Sequence, residues 1–482
     1  MASIALPNAT ITLAQLLTPS APTQPKTKAA GSSDALANEF PNLPAFCRIV
    51  AILKPSKDSD IGIEVWLPAR GWNGKLEAVG NGGFAGTIPY QALADAVAAG
   101  YAGAGTDTGH TGNNGNFALG HGQKLIDFGY RAIHQMTIAS KAIIKAYYGT
   151  PSKLAYFNGC STGGRQALVE AQKFPDDFNG IVAGAASWNQ LRLHAARIAL
   201  NLTVNKDQDS VIPPDKYPMI HAAVVEACDA LDGVKDGVIT DPARCHFDYG
   251  DLLCHGKDAA GCLTEGQVES ARAMTTPILD PSTSTVLYQG HFWPGSELGW
   301  GYIGGPEPSS EGDSAMKNIV IGDRSWDYHT MHISADVARA TRLDKGAMNS
   351  GDPNLASFFR HGGKLLMYHG WSDPIITPQN SIFYYTDVMK SVGEANAANS
   401  IALFMVPGMN HCDGGPGTDT FDKMAAIDQW VQSGRKPNAI IASHRTLGRV
   451  DRTRPLCQYP EVAVYKGAGN TDEAANFVCK VQ

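Results

Sequence analysis

The pentapeptide Gly159-Cys160-Ser161-Thr162-Gly163 constrains this chain more than any other segment. It follows Leu154-Ala155-Tyr156-Phe157, an apolar run of strand length, and precedes Arg165 to Phe174, a stretch without Gly or Pro that reads as a helix. A G-x-S-x-G pattern between a buried strand and a helix is a nucleophile elbow: the glycines tolerate a strained turn and the serine hydroxyl stands clear of it. The helix N-terminus behind the serine offers backbone N–H groups and a positive dipole end to a developing oxyanion.

The rest of the pattern suits an elbow. Ile61 to Leu67, Lys75 to Val79, Tyr101 to Thr106 and Gly180 to Ala186 read as strands, and Tyr130 to Tyr147 as a long helix. After about residue 190 this rhythm breaks. Residues 205–360 are dense in Asp, Gly, Pro, Cys and Trp, with short helical stretches only. Strand and helix then resume at Lys364 to His369, 378–392, Ile401 to Val406 and Thr420 to Ser433. The expected fold is α/β: an α/β-hydrolase core with a mainly parallel sheet covered on both faces, and a large inserted lid domain. The expected division is core residues 1–204, lid 205–360 and core 361–482, the lid lying over the C-terminal strand ends where ligands bind. Residues 1–40 look loosely structured, with a Pro/Thr/Ser/Lys-rich stretch.

Ser161 needs a base and an acid, and this fold orders them serine, acid, histidine. His369-Gly370-Trp371-Ser372-Asp373-Pro374 puts Asp373 in a turn just past a predicted strand. Gly408-Met409-Asn410-His411-Cys412 puts His411 just past the next one. His411 would take the Ser161 proton, and Asp373 would fix the imidazole tautomer and stabilise the imidazolium. Chain order, strand-end position and the neighbouring cysteine single His411 out of 14 histidines. For the oxyanion hole, the Thr162 N–H is one expected donor. The other should come from Gly80-Asn81-Gly82-Gly83-Phe84, with Gly83 preferred to Gly82.

A net charge of −7 and a pI near 6.0 argue against nucleic acid or anionic membrane as a partner. No apolar run approaches the ~20 residues of a membrane span. Nine cysteines nevertheless point to an oxidising compartment. Cys228/Cys245, Cys254/Cys262 and Cys457/Cys479 are close enough in sequence to pair locally, and Cys160 and Cys412 flank the candidate nucleophile and base. The expectation is a secreted or periplasmic protein whose signal peptide preceded Met1, with Cys47 unpaired unless its partner left with that leader.

The segment from Cys228 to Asp241 places Asp229, Asp232 and Asp236 at close spacing with glycines between them. Those carboxylates, with the carbonyls of Val234 and Val238, can supply a six- to eight-fold shell of hard oxygens to a cation. The loop is not an EF-hand, because its twelfth position lacks the bidentate Glu.

Gly-Cys-Ser161-Thr-Gly-Gly-Arg with the later His411-Cys412 resembles the tannase/feruloyl esterase family. Gly-Asn-Gly-Gly-Phe84, Thr-Asp-Thr-Gly-His110, Phe-Pro-Asp-Asp-Phe178-Asn-Gly and His-Gly-Trp-Ser-Asp373 extend the resemblance over most of the chain. It implies a Ser161, Asp373, His411 triad, a Cys160–Cys412 disulfide, a lid that shapes the substrate pocket, and a structural calcium ion in the Asp229–Val238 loop. No organic cofactor is expected. Members usually pair the Cys47 position with a cysteine near the mature N-terminus, which this chain lacks.

The expected activity is therefore hydrolysis of a small aromatic ester, feruloyl (hydroxycinnamoyl) esters first. Gallate esters or terephthalate monoesters are the alternatives within the family, and a non-catalytic, calcium-stabilised binding protein is the alternative outside it. Trp293, Trp300, Arg324, Trp326 and Tyr328 are lid candidates for specificity, although core packing is the commoner role of a large aromatic.

Overall fold

The computed structural model describes residues 4, 6–18, 36, 39–280 and 283–482. Its centre is a sheet of nine strands: β1 (Ala9–Leu17), β2 (Phe46–Leu53), β3 (Ile61–Pro68), β4 (Lys75–Val79), β5 (Ala102–Thr106), β6 (Leu154–Cys160), β7 (Gly180–Gly184), β8 (Lys364–Gly370) and β9 (Ile401–Val406). They lie in the order β1-β2-β3-β5-β4-β6-β7-β8-β9. The three pairings at the β1 edge are antiparallel and the remaining five parallel. This is the α/β-hydrolase arrangement, with β1 added at one edge.

The parallel strands are apolar on both faces because helices cover both. In β8, Leu365 and Met367 join one core cluster while Leu366 and Tyr368 join another, the alternation a strand requires. The first cluster takes apolar side chains from α2 (Ala132–Tyr148) and α3 (Thr162–Lys173). The second takes Ile427 and Trp430 from a helix at Lys423–Ser433. On that second side α1 (Tyr90–Ala98) packs Leu93 and Val97 against Trp66 and Val79.

Three readings of the sequence change. Ala9–Leu17 is not loose but a nine-residue strand paired along its length with β2, its exposed alternate positions typical of an edge. The Pro-rich stretch that follows falls at 19–35, outside the described residues. The helical rhythm also continues past 190, as α4 (Gln190–Val204), in which all but three residues are buried. Finally, the insertion holds full-length helices, α5 (Tyr217–Cys228), α6 (Glu265–Thr275) and α7 (Ile333–Leu343).

The segment between β7 and β8 has a hydrophobic core of its own, where Tyr217, Ile220, Val224, Ala271 and Phe292 surround a fully buried Trp300. Helix α4 contributes Leu200 and Val204 to that core, and Leu191, Ala195 and Ile198 to another shared with Phe84 and Phe128. Among the described residues no helix is long and apolar enough to cross a membrane.

Candidate active site

Cys160 closes β6 and Ser161 turns the chain at φ 64°, ψ −121°, a conformation that a residue with a side chain adopts only when its surroundings force it. The force is close packing. A Cβ on Gly159 would run into the backbone of Gly163, so β6 and α3 can meet at this angle only with glycine at 159. The Ser161 N–H donates to Gly184 O (3.0 Å) at the end of β7, and its carbonyl accepts the Arg165 N–H (3.0 Å). Arg165, fully buried, donates to the carbonyls of Gly129 (2.6 Å) and Phe128 (3.1 Å), tying α3 to the start of α2.

The loop after β4 is clamped beside this turn. Asn81 donates through Nδ2 to Thr106 O (2.8 Å), and its own N–H donates to Gln166 Oε1 (3.0 Å) on α3. The Thr162 hydroxyl donates to Gly83 O (2.9 Å), so the two expected oxyanion donors are neighbours. Gly83 sits at φ +50°, where glycine carries no steric penalty. The first N–H groups of α3 have no partner within the helix and remain available to an anion.

Asp373 lies just past β8 and is fully buried. Its Oδ1 accepts the N–H groups of Ile375 (2.7 Å) and Ile376 (2.9 Å). Its Oδ2 takes His411 Nδ1 (2.7 Å) and, from the sequence segment that announced it, His369 Nε2 (3.1 Å). Burial alone would push this carboxyl up, but the His411 charge and the two histidine hydrogen bonds outweigh it and hold Asp373 well below the usual carboxylate range. The loops carrying Asp373 and His411 are stitched together where Ser372 N–H donates to Met409 O (3.0 Å).

Cys160 and Cys412 are bonded, with Cα atoms 6.0 Å apart across 252 residues of sequence. One covalent link therefore joins the residue before Ser161 to the residue after His411. Cys228–Cys245, Cys254–Cys262 and Cys457–Cys479 are bonded as well, and Cys47 on β2 is a buried free thiol whose pKa burial raises.

His369 was not singled out by the sequence. It is fully buried, with Nδ1 on the Ser381 hydroxyl (2.7 Å) and Nε2 facing both Asp373 and Ile376 O (3.0 Å). Two acceptors at Nε2 place a proton there, so His369 is a second donor to the acid. The signal in the sequence was its spacing, four residues before Asp373.

The lid candidates divide. Trp300 is insertion core, Trp293 meets Trp371 edge-on at 5.4 Å, and Trp326 and Tyr328 pack against the cluster around Phe84. Arg324 is exposed.

The acidic loop curls on itself through hydrogen bonds from its own backbone. Asp229 accepts the N–H groups of Asp236 (3.2 Å) and Gly237 (2.8 Å), Asp232 that of Val234 (2.8 Å), and Asp236 that of Val238 (3.2 Å). Asp236 also takes Arg454 Nη2 (2.5 Å). The donor set, three carboxylates with the Val234 and Val238 carbonyls on one short loop, suits a hard cation.

Among the described residues the one trio of His, Cys, Asp or Glu with ligand atoms within 4.8 Å of one another is His134, Glu170 and Asp177, not the three loop carboxylates. Its members come from α2, α3 and the turn before β7, so no local spacing announces it. It lies at the end of α3 away from Ser161.

A sequence model described as tannase and feruloyl esterase matches residues 47–480. An uncharacterized esterase of Xanthomonas campestris pv. campestris is 36% identical, over 91% of this chain and 84% of its own length. A protein of Aspergillus clavatus named "Probable feruloyl esterase B" is 34% identical, over 89% of this chain and 85% of its own. Among solved structures, feruloyl esterase B from Aspergillus oryzae superposes with a TM-score of 0.90 at 30% identity, covering 99% of this chain and 98% of that one.

Proposed function

Because the chain belongs to the tannase and feruloyl esterase family, and is thus a carboxylic ester hydrolase, we propose that it cleaves esters of aromatic carboxylic acids, feruloyl (hydroxycinnamoyl) esters first, through an acyl-enzyme on Ser161. The observation that carries the reading is the Asp373–His411 hydrogen bond of 2.7 Å on a loop covalently joined to the Ser161 elbow.

His411 Nδ1 is fixed as a donor by Asp373, which leaves Nε2 as the base. As Ser161 Oγ attacks the ester carbonyl, its proton passes to Nε2. The tetrahedral oxyanion is held by the N–H groups of Thr162 and Gly83. Collapse breaks the bond to the alkoxy oxygen, which leaves as the alcohol with the proton from His411. Water then gives its proton to His411 and its oxygen to the acyl carbon, releasing the aromatic acid and restoring Ser161.

Four disulfides support a secreted or periplasmic site of action. The Asp229, Asp232, Asp236 loop, with its Val234 and Val238 carbonyls, would hold a structural calcium ion, which would offset the mutual repulsion of the carboxylates. Elemental analysis should find calcium, and EDTA should lower the melting temperature. If neither occurs, the calcium assignment is wrong.

The activity test is a screen of methyl ferulate, methyl gallate and a terephthalate monoester, with a nitrophenyl ester as a general probe. Methyl ferulate should be turned over best, and Ser161→Ala should abolish all hydrolysis. Activity that survives this substitution would remove Ser161 as the nucleophile.

A further inference from the structure

Glu170, near the end of α3, is fully buried, and neither of its carboxylate oxygens has a hydrogen-bond partner. A buried carboxylate without a donor is costly, so something must answer its charge. What faces it is not a donor but two more ligand groups. His134 on α2 and Asp177 in the turn before β7 each bring a ligand atom to within 4.8 Å of Glu170 and of each other.

The partners are held in place. His134 Nδ1 stands 2.6 Å from Asp177 Oδ2, and the imidazole lies flat on the Phe174 ring, with centroids 3.7 Å apart and planes within 9°. Lys141, about two turns further along α2, donates to the Asp177 carbonyl and stands 3.9 Å from Asp177 Oδ1. One lysine against two carboxylates leaves a negative charge over. Burial pushes the Glu170 carboxyl well above the usual range, Asp177 adds to this and Lys141 opposes it, so with nothing else bound Glu170 keeps a proton. A divalent cation can take the place of that proton and engage all three groups.

The donor set says which cation. One imidazole with two carboxylates suits zinc, whereas calcium takes an all-oxygen shell. Neighbouring ligands on a tetrahedral zinc ion stand about 3.4 Å apart. That separation falls between the 2.6 Å of the His134–Asp177 contact and the 4.8 Å limit of the trio, so small side-chain shifts seat the ion. The His134 and Asp177 side chains are 22% and 12% exposed, which gives the ion a way in from solvent and a water the fourth position.

We propose that His134, Glu170 and Asp177 bind a zinc ion that ties α2 and α3 to the turn before β7. His134 gives the lone pair of Nδ1 and carries its proton on Nε2. Glu170 follows Ser161 by nine residues, about 14 Å along the helix, so the ion is structural and takes no part in ester cleavage. It is distinct from any cation held by the acidic loop.

The test strips the native chain with EDTA, saturates it with calcium to occupy the acidic loop, and titrates in zinc chloride by calorimetry. One zinc ion per chain should bind, and the melting temperature should rise by about 2–5 °C. Glu170→Gln, which keeps the shape, and His134→Gln, at a partly exposed position, should each weaken binding by at least about tenfold. A native chain that takes up no zinc leaves Glu170 to its proton and overturns the proposal. Zinc binding undiminished in either variant overturns it too. X-ray absorption at the zinc edge decides without any variant: one imidazole with oxygen ligands is expected, and sulfur or a second imidazole at the ion would place it elsewhere.

Discussion

Asp373 accepts four hydrogen bonds on two oxygens, and each carries a different consequence. The two backbone N–H groups fix the plane of the carboxylate, and His411 receives its orientation from Oδ2. Asp373→Asn should keep the fold but present an amide that cannot hold His411 in the productive tautomer. We expect kcat to fall by about 10³–10⁴, read by steady-state kinetics on a nitrophenyl ester. His369 acts on the acid rather than on substrate. His369→Gln should lower kcat by roughly tenfold with little change in KM, as for other groups that orient a catalytic partner. A rise in KM without loss of kcat would deny it that positioning role. At this scale the sequence was most legible where chemistry dictates neighbours in the chain. Ser161, Asp373 and His411 each sit at a strand end in the expected order. His369 was illegible because it doubles a role that His411 already fills.

Elements follow the same rule of visibility. β6, β8 and β9 announced themselves because parallel strands buried on both faces are unbroken apolar runs. Helix α4 did not: it is buried almost all round, its polar side chains included, and a helix is read from the contrast between a buried and a solvated face. Strand β1 was hidden by the opposite fault, since an exposed edge strand mixes Thr and Gln with Leu and resembles a linker. One central strand also carries a pH dependence. Glu77 on β4 is 4% exposed, accepts Asn158 Nδ2 (3.0 Å), and is raised by burial from 4.5 to about 7. The folded state thus holds this proton more tightly than the unfolded state does. Stability should decline as pH rises from about 4.5 to about 7, by up to about 3 kcal/mol, and then level off. Glu77→Gln keeps the acceptor for Asn158 and removes the titration. Urea unfolding at pH 5 and pH 8 should show a smaller gap between the two pH values for the variant than for the native chain.

Over the whole molecule, the sheet brings together two parts of the chain that the insertion separates in sequence. That much was readable from the interrupted strand–helix rhythm. The course of the insertion was not, because its core around Trp300 is assembled from residues scattered between 200 and 303. The Cys160–Cys412 bond spans the same two halves. Closing so long a loop restricts the unfolded chain by about 5 kcal/mol in the entropic description. Replacing both cysteines by Ala should lower the melting temperature and reduce turnover severely, the second effect measured well below the new melting point. Full turnover in a folded double variant would make the bond a stabiliser alone. If the bond does orient Ser161 against His411, catalytic competence is a product of maturation rather than of synthesis. A newly made chain in a reducing compartment would carry every residue of the triad and still be a poor hydrolase. Oxidation would then act as the last assembly step, confining ester cleavage to the place where the thiols can be lost.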